Sequence, residues 1–450
     1  MPSHKPQLSI RRLEAPDTGL LLLSWAAIAF AITRKHGDYT LTAVIFVVVA
    51  LVLAFAACAT RLRVSRRLAL TVCALLVADA AIQAGPANHG HGTWYLLSRI
   101  CAYPAAACVL ATLRWRRMFI PALTLLAATA LLRILATPTP PIDVHFLLTD
   151  STRGLVHGLN MYQQSWPGSH GLQDEYPYLP WTSVLLLPAW LLTHEVRVGL
   201  LVAIVVAAVT LRRLARRSSI DGRSPRNEAV SRAFLPLLVA SYPLFAFQLQ
   251  QSWSEPLLVA LLAVMVLAVE RGRMRLAVFT FALALASKQH IVLLLPLAAF
   301  WPSFGWRRTV WSSAIGFVLV LPWLIASPKD MWDDAVLLNL HYPVLQRGLD
   351  VPSFFDRHGV VLGFGVTVVV VGLAYAVAFL RLPRNAAGFA AGSGLVQLAL
   401  DVFNKQSFFN HYTLVMGLFA IAVVASNRAR PRSASSGEAG ERGVLVDAAV

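Results

Sequence analysis

The feature that most constrains this chain is the recurrence of apolar runs long enough to cross a bilayer, from Leu20 to Ser426. A soluble fold of 450 residues could not hide a composition that is 57% hydrophobic and 14% charged, with a mean hydropathy of +0.63. The expected fold class is all-α, a polytopic membrane helical bundle of about 12–14 transmembrane helices with juxtamembrane helices at one face. The first apolar run follows a basic leader (Lys5, Arg11, Arg12) with no small-residue cleavage site, and reads as a retained span.

The net charge of +17 is not a nucleic-acid footprint, because the arginines sit in short clusters between apolar runs, where they orient the spans. Five spans are expected at 18–33, 40–60, 68–84, 95–113 and 118–136, forming an N-terminal bundle over 1–136. The arginines of 61–67 and 114–117 assign those connections to the cytoplasm, whereas 85–94 lacks Lys and Arg and belongs outside. Residues 182–193 are apolar but only 12 long, about 18 Å of helix against a core of about 30 Å. They are read as a helix on the outer leaflet, which lets 196–211 cross alone and keeps the arginines of 212–232 in the cytoplasm.

The remaining membrane bundle, 196–426, continues with spans at about 233–248, 255–269, 276–286, 290–301, 309–326, 359–380, 386–403 and 411–426. The short pair 276–286 and 290–301 breaks at Ser287-Lys288-Gln289. The Ser/Gly/Arg-rich tail 427–450 is expected to be cytoplasmic and disordered. This threading puts 28 of the 39 Lys/Arg in the cytoplasm and 11 of the 12 histidines at the outer face, so the titratable chemistry belongs outside. Cys58, Cys73, Cys101 and Cys108 fall inside spans without paired spacing and read as small apolar residues.

Two outer segments, 137–195 and 327–358, are too long and too aromatic to be plain connectors. Asp143 follows Pro138, Pro140 and Pro141, a rigid lead-in that sets a carboxylate at the membrane edge, as a general base requires. A helix cap or a solvated loop acid is the plainer reading. Asp150, two turns further on, competes for the same role. Lys288 near membrane depth either snorkels outward or faces a phosphate as a point charge. His341, Arg347 and Asp350 gather at the same outer level as Lys405, His411 and Tyr412, and Arg133 is expected to snorkel toward the Asp143 loop.

The order of motifs is IDVHF at 142–146, GLVHGLNMY at 154–162, EYPYLPWTSVLLLPAWLL at 175–192, ASKQHIVLLLP at 286–296 and NKQSFFNHYTLV at 404–415. It resembles that of the membrane-embedded C-type glycosyltransferases, and in particular the actinobacterial polyprenyl-phosphate-mannose-dependent mannosyltransferases. The likeness runs from about Ile142 to Ser426. It implies an enzyme that takes a sugar, mannose by family expectation, from a polyprenyl-phosphate donor and passes it to a glycolipid or glycan hydroxyl on the outer face. Asp143 maps onto the catalytic base, Lys288 onto the lysine of the broken pair, and Tyr176 onto the Tyr-Pro stretch. Lys288, Arg347 and Lys405 would then compensate the leaving phosphate, and His145, Asp150, Tyr176, His341, Asp350, His411 and Tyr412 become expected substrate contacts.

Attack from the opposite face would invert the anomeric centre. No nucleotide, cofactor or metal is required by the scheme. The expected partners are the lipid-linked donor, the acceptor and membrane lipids, and no nucleic acid. Arg-over-Lys usage with abundant Ala and Val suggests a GC-rich bacterial genome, and the expected location is a bacterial plasma membrane with both termini cytoplasmic by the placement of Lys and Arg. The rival class is a transporter or flippase for lipid-linked sugars, which calls for internal repeats and polar groups at the midplane. A non-enzymatic scaffold is the third reading.

Overall fold

The computed structural model describes residues 12–82, 92–216, 227 and 229–426. The basic leader, most of the 85–94 connection, most of the 212–232 loop and the tail 427–450 lie outside the described residues. All regular structure among the described residues is helical. The chain runs through α1 (Thr18–Thr33), α2 (Leu41–Ala59), α3 (Arg66–Ile82), α4 (Thr93–Ala111) and α5 (Phe119–Ala136). It continues with α6 (Asp143–Val156), α7 (Trp181–Thr193) and α8 (Val196–Arg216). Local chemistry sets several starts: Asp17 accepts from the Leu20 N–H to open α1, and Thr40 accepts from the Ala43 N–H to open α2.

Among the described residues, eight helices are long and apolar enough to cross a membrane, and four more apolar helices are shorter. The chain is accordingly a multi-pass membrane protein of the all-helical class read from the sequence, with several of its apolar runs forming helices of fewer than 18 residues. Helices Ala386–Phe403 and Phe409–Ser426 form the centre, each 89% buried, whereas Gly305–Ala326 and Phe364–Arg381 are only 22% and 17% buried and turn apolar sides outward. That inversion is what lipid, as opposed to water, permits. The central pair packs closely because Gly394 has no side chain: a Cβ there would lie 2.5 Å from the Phe419 ring.

One expected span is corrected. Residues 233–248 are not one helix: a π turn at Val230–Phe234 and a single turn at Leu235–Leu237 give way to non-helical backbone, and helix resumes only at Phe245–Gln250. Pro236 and Pro243 each remove a ladder donor, and Leu244 turns left-handed at φ 61°. The segment is buried inside the protein, the one setting in which irregular backbone survives at membrane depth. Arg133 is also corrected. It does not snorkel outward but is buried, donating to Gln250 Oε1 (2.6 Å) with its guanidinium 4.3 Å over the Tyr95 ring. The 290–301 stretch starts as a 3-10 turn (Gln289–Leu294) and becomes α-helical only at Leu295–Phe300.

Connecting segments meet in two groups. In one, Asn160 bonds Ser327, Tyr176 bonds Asp334, Leu345 bonds Lys405 and Arg357 stacks on Tyr39. In the other, Arg12 bonds Leu382, Arg381 bonds Ala59 and Arg384 stacks on Phe300. The four cysteines are unpaired thiols, Cys58 and Cys73 buried and the other two half-buried.

Candidate active site

Residues 137–195 fold rather than wander. Trp166, Tyr162, Tyr176 and Tyr178 form an edge-to-face and tilted aromatic cluster. The Tyr176 hydroxyl meets Ser183 Oγ at 2.6 Å, Ser183 meets Ser151 at 2.6 Å, and the Tyr162 hydroxyl donates to the Tyr178 carbonyl. This welds α6 to α7. The lead-in to α6 is held by Arg197, whose buried guanidinium donates to the Thr137, Pro138 and Gln250 carbonyls and to both Glu195 oxygens. His145 ties the same helix to the turn before Glu255–Glu270 through Nδ1 and Ser252 Oγ, 2.9 Å apart.

Asp143 is the first residue of α6 and half-buried, with Oδ1 accepting from the Val144 N–H at 2.7 Å. The loop crosses directly above it, so closely that a Cβ on Gly171 would sit 2.7 Å from Oδ2. Tyr178 and Tyr342 are near enough that Asp143 adds to the effect of burial in pushing both phenols up.

Lys288 is also near Tyr178, its ammonium 5.5 Å from the ring centroid. Lys288 is placed by a zipper: the Leu179 and Trp181 N–H groups donate to the Ser287 and Ala286 carbonyls, and Thr182 Oγ1 donates to Ser287. Gln289 donates to the Pro177 and Ala335 carbonyls at 2.8 Å each, stapling both long segments to the broken pair. Lys288 itself makes a buried ion pair with Glu255, Nζ to Oε1 2.5 Å, and Asn410 donates to the same oxygen at 3.0 Å.

Behind the pair, His411 Nδ1 is 3.9 Å from Asp401 Oδ1 and its ring 6.4 Å from that of His290, while Gln397 donates to Asp401 at 3.0 Å. Glu255 Oε2, His290 Nε2, Gln397 Oε1 and Asp401 Oδ2 are buried with no hydrogen-bond partner in the structure. A polar network with this many unanswered atoms is costly in a membrane bundle and marks a functional region.

The expected site residues therefore separate. Asp143, Lys288 and His411 join one connected region. His341 lines a cavity of about 390 Å³ with Glu175, Asp333, Asp334 and Tyr342. Lys405 donates to the Leu340 carbonyl at 2.8 Å, and Arg347 is exposed in the turn before Asp350. Asp150 pairs with Arg153 at 2.9 Å. His145, Tyr176, Asp350 and Tyr412 are buried and engaged with the protein itself. Asp350 accepts from the Ser353 and Ser407 N–H groups, and the Tyr412 hydroxyl donates to the Leu349 carbonyl.

Sequence reading missed Glu255, Asp401, Tyr178 and Arg197. The signal for the two acids was present, since a carboxylate inside an apolar run demands a partner. Among the described residues, no group of three or more His, Cys, Asp or Glu is placed to hold a metal ion.

Two acids of the 327–358 segment make its stability pH-dependent. Burial raises Asp350 to about 7 against the pull of its N–H donors. Burial, aided by Glu175, Asp330 and Asp333, raises Asp334 to about 6. Because both folded values exceed the unfolded ones near 4, their contribution is complete below about pH 4 and lost as pH rises through 6 to 7. Hydrogen exchange of 327–358, corrected for intrinsic rates, should show more protection at pH 5 than at pH 8, with the difference reduced in Asp350→Asn. Equal protection at both pH values would contradict this.

No protein-family model and no curated protein matches the sequence. The crystal structure of ArnT from Cupriavidus metallidurans bound to undecaprenyl phosphate aligns with a TM-score of 0.47 and 15% identity over 71% of this chain and 61% of that one. The same protein in the apo state aligns at 0.43 and 16%, over 65% and 56%. The chain thus spans about three-fifths of the length of those structures, and likeness at this level carries no statement about activity.

Proposed function

We propose that this protein is a membrane glycosyltransferase that moves a sugar, mannose in the first instance, from a polyprenyl-phosphate donor to a hydroxyl of a glycolipid or glycan at the outer face of a bacterial plasma membrane. The observation that carries the reading is that an acid and a cation both lie near Tyr178: Asp143, packed under Gly171, and Lys288, whose ammonium is 5.5 Å from the ring centroid. An acid and a cation so arranged suit a displacement at a lipid-linked anomeric carbon. The acceptor oxygen forms the new bond to that carbon as its proton passes to Asp143. The carbon–oxygen bond to the phosphate breaks, and the polyprenyl phosphate leaves with its charge met by Lys288. Attack from the face opposite the phosphate inverts the centre. Arg347 and Lys405 supply further positive charge for the departing phosphate.

The flippase reading draws on the buried, twice-broken segment 230–250, which brings Gln248 into the interior. One experiment separates the two. The protein is reconstituted in liposomes carrying labelled polyprenyl-phosphate-mannose in one leaflet together with a glycolipid extract. A transferase moves label onto the acceptor. Movement of intact donor between leaflets without transfer would overturn the proposal in favour of the flippase.

A further inference from the structure

The Glu255–Lys288 pair has a consequence for turnover, resting on the reading of Lys288 as a phosphate ligand. Glu255 is the more deeply buried partner: its side chain is 1% exposed, that of Lys288 9%. It accepts a hydrogen bond from one of the three ammonium N–H groups, at 2.5 Å, and the same oxygen accepts from Asn410. The ammonium also lies 5.5 Å from the Tyr178 ring centroid, and both Asp143 and Glu255 add to the effect of burial on that phenol. A carboxylate in contact with a lysine at low dielectric cancels much of the charge that an incoming anion would feel. A cation left uncompensated there would bind the dianionic polyprenyl phosphate product more tightly than the monoanionic phosphodiester donor, and turnover would stall on product.

We propose that Glu255 is a positioning residue that holds Lys288 in place and tempers its charge, keeping the affinity of the site for a phosphate group low enough for the polyprenyl phosphate product to leave. Glu255 is not in the path of the transferred sugar, and it takes no proton from the acceptor.

The test is titration of the full-length protein in detergent with polyprenyl monophosphate at pH 7.5, where a phosphate monoester is mostly dianionic. Glu255→Gln should bind about tenfold more tightly than wild type, the factor carried by one hydrogen bond to a charged group. In transfer assays its kcat and KM should fall together, with stronger inhibition by product. Glu255→Asp should lie nearer wild type.

Asn410→Leu keeps both charges but loosens Glu255, and a smaller tightening is expected, so the inference stays open to test if Glu255→Gln misfolds. Unchanged or weaker binding by folded Glu255→Gln, or by Asn410→Leu when Glu255→Gln is unfolded, would overturn it. Wild-type binding that survives Lys288→Met would instead remove Lys288 as the phosphate ligand, and absence of wild-type binding would sink the glycosyltransferase reading itself.

Discussion

Replacing Asp143 with Asn should reduce sugar transfer by about 10²- to 10⁴-fold, the range that a positioned general base contributes. The substitution preserves size, and the amide oxygen can still accept from the Val144 N–H that now bonds Oδ1. The helix start therefore survives, and the loss isolates proton transfer. Oδ2 is the oxygen left for the acceptor proton, and it lies under Gly171. Gly171→Ala would crowd the carboxylate without touching its chemistry. It should cost up to about 10²-fold, because displacement of a reacting group by roughly an ångström carries that order of penalty. Transfer by Asp143→Asn at the wild-type rate would take Asp143 out of the mechanism and direct attention to Asp150, now held by Arg153.

The second large effect is on stability. Arg197→Leu should destabilise the protein by about 3–5 kcal/mol, as expected when one partner of a buried, hydrogen-bonded ion pair is removed. All five guanidinium protons have acceptors: two on Glu195, with the rest on the carbonyls of Thr137, Pro138 and Gln250. Their loss would free the proline lead-in that aims Asp143. Arg197→Lys should rescue little, since a single ammonium cannot span the carbonyls and fork onto the carboxylate at once. Unfolding in mixed micelles, read beside transfer rate, checks the claim; a change below about 1 kcal/mol, the scale of an exposed ion pair, would show the cluster to be dispensable.

Glu255 and Arg197 also mark the limit of reading a chain residue by residue. Both lie at the start of apolar helices, where a charge is easily read as a boundary marker, and both turn inward. Their partners stand far away in sequence: Lys288 is 33 residues from Glu255, and Thr137 is 60 from Arg197. No local period records such a pairing. The same limit explains the broken 233–248 segment. Its apolar content read as a span, although Pro236 and Pro243 were visible as helix breakers. Burial by neighbouring helices is what makes a broken form tolerable there.

What the sequence by itself determined is the all-helical membrane class, most helix boundaries and which connections carry the charge. Each follows from local chemistry: apolar length against bilayer thickness, caps and prolines, and charge that must stay in water. It also singled out Asp143 and Lys288, because an acid behind a proline lead-in and a lysine inside a broken apolar pair are locally anomalous. Only the tertiary structure decided that Tyr178 is near both of them, that Glu255 pairs with Lys288, and that His145, Tyr176, Asp350 and Tyr412 serve the fabric of the protein. Those assignments depend on which side chains meet when distant segments pack, and in a low-dielectric interior that meeting decides whether a charge is free to act or already answered.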